Sequence, residues 1–457
     1  MNRPTIEQLL RQYSERTLSP VDMTQQSLDS IARTNDTTNA FITVCPEKAL
    51  DQARIAELRY SLGQQSGRLE GVPISVKDMI DTAGIRTTYG SAIDANNVPE
   101  EDAAIVGTLR QQGAVNLGKT NLHEYAFGTT SENAFYGSVL NPWNQDHVAG
   151  GSSGGSAAAI ATGIGFASIG TDTGGSIRIP AAACGVVGLK PTYGLLKTTG
   201  ALNISWTLDH TGPITRNVED MASVMEALTG QKYNEHLQGE SLEGIRIGVP
   251  TKYFNERLQP DVKAAFDTSL ARLGELGAVL IDVNVDYKSE DIDDVLIIEA
   301  AEAGYIHERR ILGSLDKYGS DVRTALGSSH DISALSYIRA LGRRRTIKEN
   351  TSALFDVVDY IATPTMPITA PRLTTRDVTI GGETEDIFSC MIRYTSIFDM
   401  SGHPALSIPC GLSGDGLPIG LQLAGTYLSE RSLLKTARVF EQHYLGDIYR
   451  GRDQLQS

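Results

Sequence analysis

The stretch that decides the fold is residues 149–194, AGGSSGGSAAAIATGIGFASIGTDTGGSIRIPAAACGVVGLKPTYG, which holds two serine clusters flanked by glycine. The first is residues 150–156, GGSSGGS, and the second is residues 174–176, GGS. Glycine inside a helix or strand costs roughly 0.5–1 kcal/mol relative to alanine, so stability alone does not explain this composition. Glycine beside serine indicates backbone that approaches another group closely or points N–H groups at it. We interpret Ser176 as a nucleophile and the glycines before it as an oxyanion hole.

The composition restricts the class of protein. The chain has 457 residues, of which 40% are apolar, and a net charge of −15. The acidic balance argues against direct binding of nucleic acid. Four widely spaced cysteines indicate neither a zinc site nor a disulfide scaffold. The N-terminus lacks the apolar core of a signal peptide, and no apolar run is long enough to span a bilayer, so we expect a cytoplasmic protein that does not enter the membrane.

Helix and strand patterns alternate along the chain. Residues 1–65 predict a layer of helices, one of which has Ser19 as its N-cap. Strands and helices then alternate over residues 66–250, the expected catalytic core, and residues 286–355 are mostly helical and charged. This alternation is typical of an α/β fold. Because no linker or repeat separates the parts, we expect a single domain over residues 1–457 with an inserted helical section.

Lys77 ends a β-branched strand pattern, GVPISVKD, at residues 71–78. Most lysines at the end of a strand are exposed to solvent. The sharper hypothesis is a buried lysine, whose pKa falls because its charged form is poorly solvated there. Such a lysine is neutral often enough to accept a proton as a base. The pattern alone leaves both interpretations open.

Two short motifs fit functional patterns but lack the required context. GAVNLGKT at residues 113–120 fits the P-loop, which needs a strand before its first glycine and a helix at its Lys-Thr. Here a helix precedes the motif and its middle is strand-like. GSSGG at residues 151–155 fits a nucleophile elbow centred on Ser153, but a turn-rich loop stands where the elbow needs a strand. We therefore predict neither nucleotide binding nor a lone elbow serine, and the eight scattered histidines show no metal-ligand spacing.

Four stretches together resemble the amidase signature family. They are GVPISVKD around Lys77, GGSSGGS around Ser152, GTDTGGSIR around Ser176, and GLKPT soon after it. GLPIGLQ at residues 416–422 is similar to the family's C-terminal pattern. The resemblance implies an α/β/α sandwich with a central mixed, mostly parallel twisted sheet surrounded by helices. It also implies that no metal or organic cofactor is needed.

The resemblance implies a role for each member of a Ser–cis-Ser–Lys triad. Ser176 would be the nucleophile, Ser152 the proton relay and Lys77 the general base. A serine hydroxyl is a weak nucleophile until a base takes its proton, and this order of residues supplies the base. A one-residue shift would exchange the roles of Ser152 and Ser153, but the spacing to Ser176 favours Ser152. The oxyanion would be held by the backbone N–H groups of Thr173, Gly174, Gly175 and Ser176.

The resemblance to the family leaves two functions open. The first is a free-standing amidohydrolase for small carboxamides, anilides or carbamates (urethanes), working as a monomer or homodimer. The second is the glutaminase subunit of a tRNA-dependent amidotransferase, which works in a complex and channels ammonia. An acidic glutamine-binding residue of that pattern is replaced around Ile392, which favours the first function. A non-enzymatic binding module would require the triad to be a relic, although all three positions are intact.

Substrate contacts are expected from loops and helices at the entrance, in residues 120–145, 286–345 and 390–404. The predicted substrate-binding residues are Tyr125, Phe127, Gly151 and Ser153. Further aromatic candidates for the wall, each of which fits the core equally well, are Phe135, Tyr136, Trp206, Tyr305 and Phe398. Asp172 and Arg178 are interpreted as structural support for the site.

Overall fold

The structure is a computed structural model that describes residues 3–456. Its strands are β1 (Phe41–Val44), β2 (Pro73–Lys77), β3 (Val115–Thr120), β4 (Leu140–Asn141), β5 (Asn144–Val148), β6 (Ala167–Asp172), β7 (Val187–Lys190), β8 (His210–Thr215), β9 (Arg246–Pro250), β10 (Val279–Val283), β11 (Tyr360–Pro364), β12 (Asp377–Ile380), β13 (Glu383–Asp386), β14 (Ala405–Leu412) and β15 (Pro418–Gly425). Its α-helices are α1 (Ile6–Ser14), α2 (Pro20–Thr38), α3 (Pro46–Leu62), α4 (Ala104–Gln111), α5 (Gly154–Ala161), α6 (Arg178–Cys184), α7 (Val218–Thr229), α8 (Pro260–Glu275), α9 (Asp291–Ser314), α10 (Ser320–Ser328), α11 (Ala334–Leu354), α12 (Ile387–Ile392), α13 (Ser396–Ser401), α14 (Glu430–Tyr444) and α15 (Gly446–Asp453).

Local polar residues begin the first two helices. The Ser19 hydroxyl accepts a hydrogen bond from Val21 N at 2.9 Å, and Pro20 occupies the first turn of α2. Both features satisfy or avoid the unpaired N–H groups of a helix start, and the predicted N-cap is confirmed. Thr5 and Gln8 form a reciprocal capping box at the start of α1.

Eleven strands form one mixed sheet in the order β1-β3-β2-β6-β8-β7-β14-β15-β11-β9-β10. Strands β3, β2 and β6 pair in parallel, as do β11, β9 and β10. The strands between these two blocks pair antiparallel, and β1 joins the edge antiparallel to β3. The predicted α/β class, with a mixed sheet surrounded by helices, is confirmed.

Helices cover both faces of the sheet. One apolar cluster joins side chains of β2, β6 and β7 to helices α4, α7, α8 and α14. A second cluster on the opposite side includes α2, α3, α5 and α6. Every residue of α5 and α6 is buried, and both helices are rich in alanine, so their backbones can approach the sheet closely. Within residues 3–456, no helix combines the length and the apolar character needed to cross a bilayer.

Parallel pairing of β2 with β6 determines where the serine clusters lie. The carboxyl ends of parallel neighbours meet at the same edge of a sheet, and loops at this edge form binding sites in α/β folds. Strand β2 ends at Lys77 and β6 ends at Asp172, so both face this edge. The first serine cluster runs into the start of α5 there, and the second precedes α6. In contrast, Lys119 and Thr120 lie inside β3 and not at a helix start, so the P-loop arrangement does not form.

Candidate active site

Lys77 is fully buried, and its ammonium nitrogen contacts two hydroxyl groups. Nζ lies 2.7 Å from Ser152 Oγ and 2.7 Å from Thr171 Oγ1. Burial lowers the pKa of Lys77 to about 7, although the carboxylates of Asp172 and Asp209 act in the opposite direction. A lysine that loses its proton near neutral pH, in contact with a serine hydroxyl, can exchange a proton with that serine.

The two serine clusters are joined through their backbones. Ser153 N donates a hydrogen bond to Ser176 O at 3.2 Å, so the loop before α5 contacts the loop before α6. The peptide bond between Gly151 and Ser152 is cis. Ser152 is fully buried, whereas Ser176 retains 9% exposure. The structure therefore brings together Lys77, Ser152 and the backbone of Ser176, with Ser176 at the more open end.

The loop from Thr173 to Ser176 presents unpaired backbone donors. None of its four N–H groups donates to an acceptor among the described residues, whereas the next amide, Ile177 N, is bound by Asp172 Oδ2 at 3.0 Å. Gly175 has φ +134°, and a Cβ there would overlap Thr395 Oγ1, so only glycine fits this position. Unpaired N–H groups in a fixed loop are what an oxyanion requires.

Asp209 fixes the start of this loop. Its carboxylate accepts a hydrogen bond from Thr173 Oγ1 at 2.7 Å and others from the amides of Ile204 and Ser205. Burial raises the pKa of Asp209 to about 7, opposed by these hydrogen bonds. Thr173 and Asp209, together with Thr171, also line a small cavity next to the buried lysine.

Arg178 and Asp172 form a buried ion pair behind the serine loops. The Arg178 guanidinium donates to Asp172 and, through Nη2, to Asp399 Oδ2 at 2.7 Å. Its Nη1 donates to Thr395 O and to Gln422 Oε1, both at 2.8 Å. Burial alone would raise the pKa of Asp172, but Arg178 holds it below its usual range. The contacts fit the predicted supporting role, because Asp172 also binds the first amides of the α6 turn.

A second lysine at the end of a strand is buried nearby. Lys190, the last residue of β7, is fully buried, and burial lowers its pKa to about 7. Its Nζ lies 3.1 Å from Pro191 O and 3.1 Å from His210 Nε2. No serine hydroxyl among the described residues contacts Lys190.

The predicted substrate-binding residues fall into different environments. Tyr125 is fully buried among aromatic rings, and its hydroxyl donates to Asp94 Oδ2 at 2.6 Å. Phe127 is half-buried beside His307. Ser153 Oγ donates to Thr171 O at 3.1 Å and thereby ties the serine loop to β6.

Gly151 and the wall candidates complete the set. A Cβ on Gly151 would lie 2.8 Å from Ser131 N, so this glycine permits a close approach of two loops. Phe398 is buried in the core, and Tyr136 is half-buried. The exposed candidates are Phe135, Trp206 and Tyr305. The rings of Trp206 and Tyr305 meet edge to face with centroids 5.8 Å apart.

The structure adds residues that the sequence did not single out. Thr171 contacts Lys77, Asp209 binds Thr173, and the carboxyl group of Glu299 lies next to Gly174. Thr171 lies inside the GTDTGGSIR motif, so the sequence could have indicated its position near the site. No motif indicated Asp209 or Glu299, because each reaches the site from a distant part of the chain. Among residues 3–456, no group of three His, Cys, Asp or Glu side chains is arranged to hold a metal ion.

The sequence model of the amidase family matches residues 22–434. The chain belongs to the amidase family. It is accordingly a hydrolase that acts on carbon–nitrogen bonds, as the motifs around Lys77, Ser152 and Ser176 predict.

Individual relatives of this amidase-family chain carry two kinds of name. It is 36% identical to the A subunit of glutamyl-tRNA(Gln) amidotransferase from Thiobacillus denitrificans, over 97% of each chain. A solved structure described as an amidase is 33% identical, with a TM-score of 0.91 over 96% of this chain and 100% of the other. The structure of the A subunit of glutamyl-tRNA(Gln) amidotransferase from Thermotoga maritima is 32% identical, with a TM-score of 0.80 over 97% and 95% of the two chains.

Proposed function

We propose that this amidase-family enzyme hydrolyses small carboxamides, anilides or carbamates through an acyl-enzyme on Ser176. The observation that carries the proposal is the 2.7 Å contact between Lys77 Nζ and Ser152 Oγ in a fully buried environment. That contact lies against the loop of Ser176 through the hydrogen bond from Ser153 N to Ser176 O. These two contacts support the roles of base for Lys77, relay for Ser152 and nucleophile for Ser176.

In the proposed mechanism, neutral Lys77 takes the proton of Ser152 while Ser152 takes the proton of Ser176. Ser176 Oγ attacks the acyl carbon and forms the new C–O bond. Ser152 then returns the proton to the leaving nitrogen as the C–N bond breaks. Water repeats the cycle on the acyl-enzyme, releases the acid or carbamic acid, and restores Ser176.

The oxyanion formed in each step would be bound by the unpaired N–H groups of Thr173, Gly174, Gly175 and Ser176. Removal of one such donor in a serine hydrolase typically costs about 2.7–4 kcal/mol of transition-state stabilisation. Asp209 holds Thr173 at the start of this loop, and Thr395 Oγ1 donates to Gly174 O at 2.6 Å. We further propose that residues 286–355 form part of the entrance within a single catalytic domain, since Glu299 on α9 reaches Gly174.

The experiment is active-site labelling followed by a substrate panel. A fluorophosphonate should modify Ser176, as located by mass spectrometry, and Ser176→Ala should abolish the labelling. The panel contains an aliphatic amide, an anilide, a carbamate, an ester and glutamine, with product formation measured for both proteins. Modification of a different residue, or full activity of Ser176→Ala, would contradict the proposal.

A second candidate is the glutaminase subunit of a tRNA-dependent amidotransferase. It is favoured by the 36% identity to an amidotransferase A subunit over nearly the whole length of both chains. It is disfavoured by Ile392 at the expected acidic position and by the higher TM-score of the amidase structure than of the amidotransferase structure. Ammonia release from glutamine, measured with and without the other amidotransferase subunits, separates the two. Activity that appears only in the complex would establish the second function.

A further inference from the structure

Glu299 brings a carboxyl group to the edge of the proposed oxyanion loop. It lies on α9, and a Cβ placed on Gly174 would be 3.4 Å from Glu299 Oε1 and 3.5 Å from Ile392 Cγ2. Gly174 is two residues before Ser176 in the chain. The surface next to this loop is therefore made by one carboxyl group and one apolar side chain.

The neighbouring carboxyl groups are all engaged by the protein. Glu302, one turn further along α9, accepts hydrogen bonds from Ser205 Oγ at 2.7 Å, Thr207 N at 3.0 Å and Tyr337 OH at 2.7 Å. The two carboxyl groups on the other side chains nearby are also bound. Asp209 accepts hydrogen bonds from Thr173 Oγ1, Ile204 N and Ser205 N, and Asp172 accepts hydrogen bonds from Arg178. Each of these carboxyl groups has a structural partner.

Glu299 differs from them because it has no hydrogen-bond or ion-pair partner among residues 3–456. Its side chain is only partly exposed, and the charged groups that act on it are Asp209, Asp172 and Glu302, which are all acidic. Burial, reinforced by these carboxylates, raises the pKa of Glu299 to about 8. A partly buried carboxyl group without a partner is costly to a protein unless something else supplies a donor.

We infer that Glu299 is a specificity-determining residue that binds an ammonium group on the substrate, on a short chain attached to the scissile amide. The inference rests on the proposed amidase function. An ammonium group would donate hydrogen bonds to Glu299 and would offset the repulsion among the surrounding carboxylates. A carboxylate at the same place would add to that repulsion. Ile392 borders the same side of Gly174 and would accommodate the methylene groups of the chain.

The test compares amides that differ only in charge. Glycinamide, β-alaninamide and 4-aminobutyramide are each paired with the amide in which a methyl group replaces the ammonium: propionamide, butyramide and pentanamide. For the best chain length, we expect kcat/KM of the ammonium amide to exceed that of its partner by roughly 10- to 100-fold, the range for a hydrogen bond between charged groups.

Glu299→Gln keeps the shape of the side chain but cannot form the carboxylate that pairs with an ammonium group, so the ratio within the best pair should fall at least about tenfold. Glu308→Gln is the matched control, because Glu308 lies on the same helix and is exposed. The control should keep the wild-type ratio. A wild-type ratio at or below one, or a ratio that Glu299→Gln leaves unchanged, would overturn the inference, as would equal loss in the control.

Binding measurements separate this inference from the proposed function. Calorimetry with Ser176→Ala protein should show tighter binding of the ammonium amide than of its methyl partner, and a Ser176→Ala, Glu299→Gln double variant should lose the difference. If Ser176 is not labelled by fluorophosphonate but the binding difference is present, the proposed chemistry fails and the Glu299 site stands. If Ser176 is labelled and the binding difference is absent, the Glu299 inference alone fails.

Discussion

Lys77 and Lys190 both end strands of the same sheet, and both are fully buried with the pKa lowered to about 7 by burial. They differ in what the nitrogen contacts. Lys77 Nζ meets the hydroxyls of Ser152 and Thr171, whereas Lys190 Nζ meets Pro191 O and His210 Nε2. Burial is thus enough to let a lysine lose its proton near pH 7. The contacts of its nitrogen then determine whether it can accept a proton from a serine hydroxyl.

Replacement of each buried lysine should affect activity very differently. Lys77→Met should lower kcat/KM by about 10²–10⁴-fold, the usual contribution of a general base, while the protein stays folded. Lys190→Met should mainly affect stability, by about 1–3 kcal/mol, because it leaves buried polar groups without their partner. Steady-state kinetics and thermal melts of both variants test this comparison. The proposed difference between the two lysines is contradicted if Lys190→Met loses as much activity as Lys77→Met at an unchanged Tm.

A second comparison concerns the adjacent serines. Ser152→Ala should lower kcat/KM by about 10²-fold or more, because the proton path from Ser176 to Lys77 is interrupted. Ser153→Ala should cost only about 0.5–1.5 kcal/mol of stability, since its hydroxyl bonds to Thr171 O. The same assay and melts apply to both. If instead Ser153→Ala is the inactive variant, the one-residue shift between the two roles is correct.

The pH dependence of the activity gives a further test of the role of Lys77. The neutral fraction of Lys77 rises as the pH rises through about 7, so activity should fall about tenfold per pH unit below that value and level off above it. The rate at which fluorophosphonate labels Ser176, measured as a function of pH, reports this acidic limb of the pH–rate profile directly.

Lys190 provides the control, because its pKa is lowered to about the same value as that of Lys77. The acidic limb should keep its midpoint in Lys190→Met. In Asp209→Asn the midpoint should move to lower pH, because the Asp209 carboxylate raises the pKa of Lys77. A midpoint that moves with Lys190→Met would mean that Lys190, and not Lys77, controls the pH dependence.

Thr171 should contribute less to activity than Lys77 or Ser152. Thr171→Val removes one of the two hydroxyl partners of Lys77 Nζ and keeps the size of the side chain. The loss of one hydrogen bond, about 1 kcal/mol, predicts a decrease of roughly fivefold in kcat/KM. The kinetic assay used for Lys77→Met measures it. A decrease as large as that of Ser152→Ala would mean that Thr171 is itself part of the proton path.

The sequence predicted the parts of the proposed site that lie in local motifs. The glycine and serine spacing marked Ser152 and Ser176, and local patterns placed Lys77 at the end of a strand, as β2 confirms. Tyr125 shows the limit of this reasoning. An aromatic residue near a predicted entrance fits a wall and a core equally well, and the structure places this one in a buried aromatic cluster.

The α/β class, the family and the residue types available for catalysis follow from the sequence alone, because these depend on periodicity and on local motifs. Three contacts could be seen only after folding: Lys77 Nζ contacts Ser152 Oγ, Lys190 contacts no serine hydroxyl among the described residues, and Glu299 lies next to Gly174. These contacts depend on strand order and on helix packing between distant segments. In particular, the parallel pairing of β2 with β6 places Lys77 beside Thr171 and the serine loops. Lys77 and Lys190 each end a buried strand, and they differ only in the groups that the fold places next to the side-chain nitrogen.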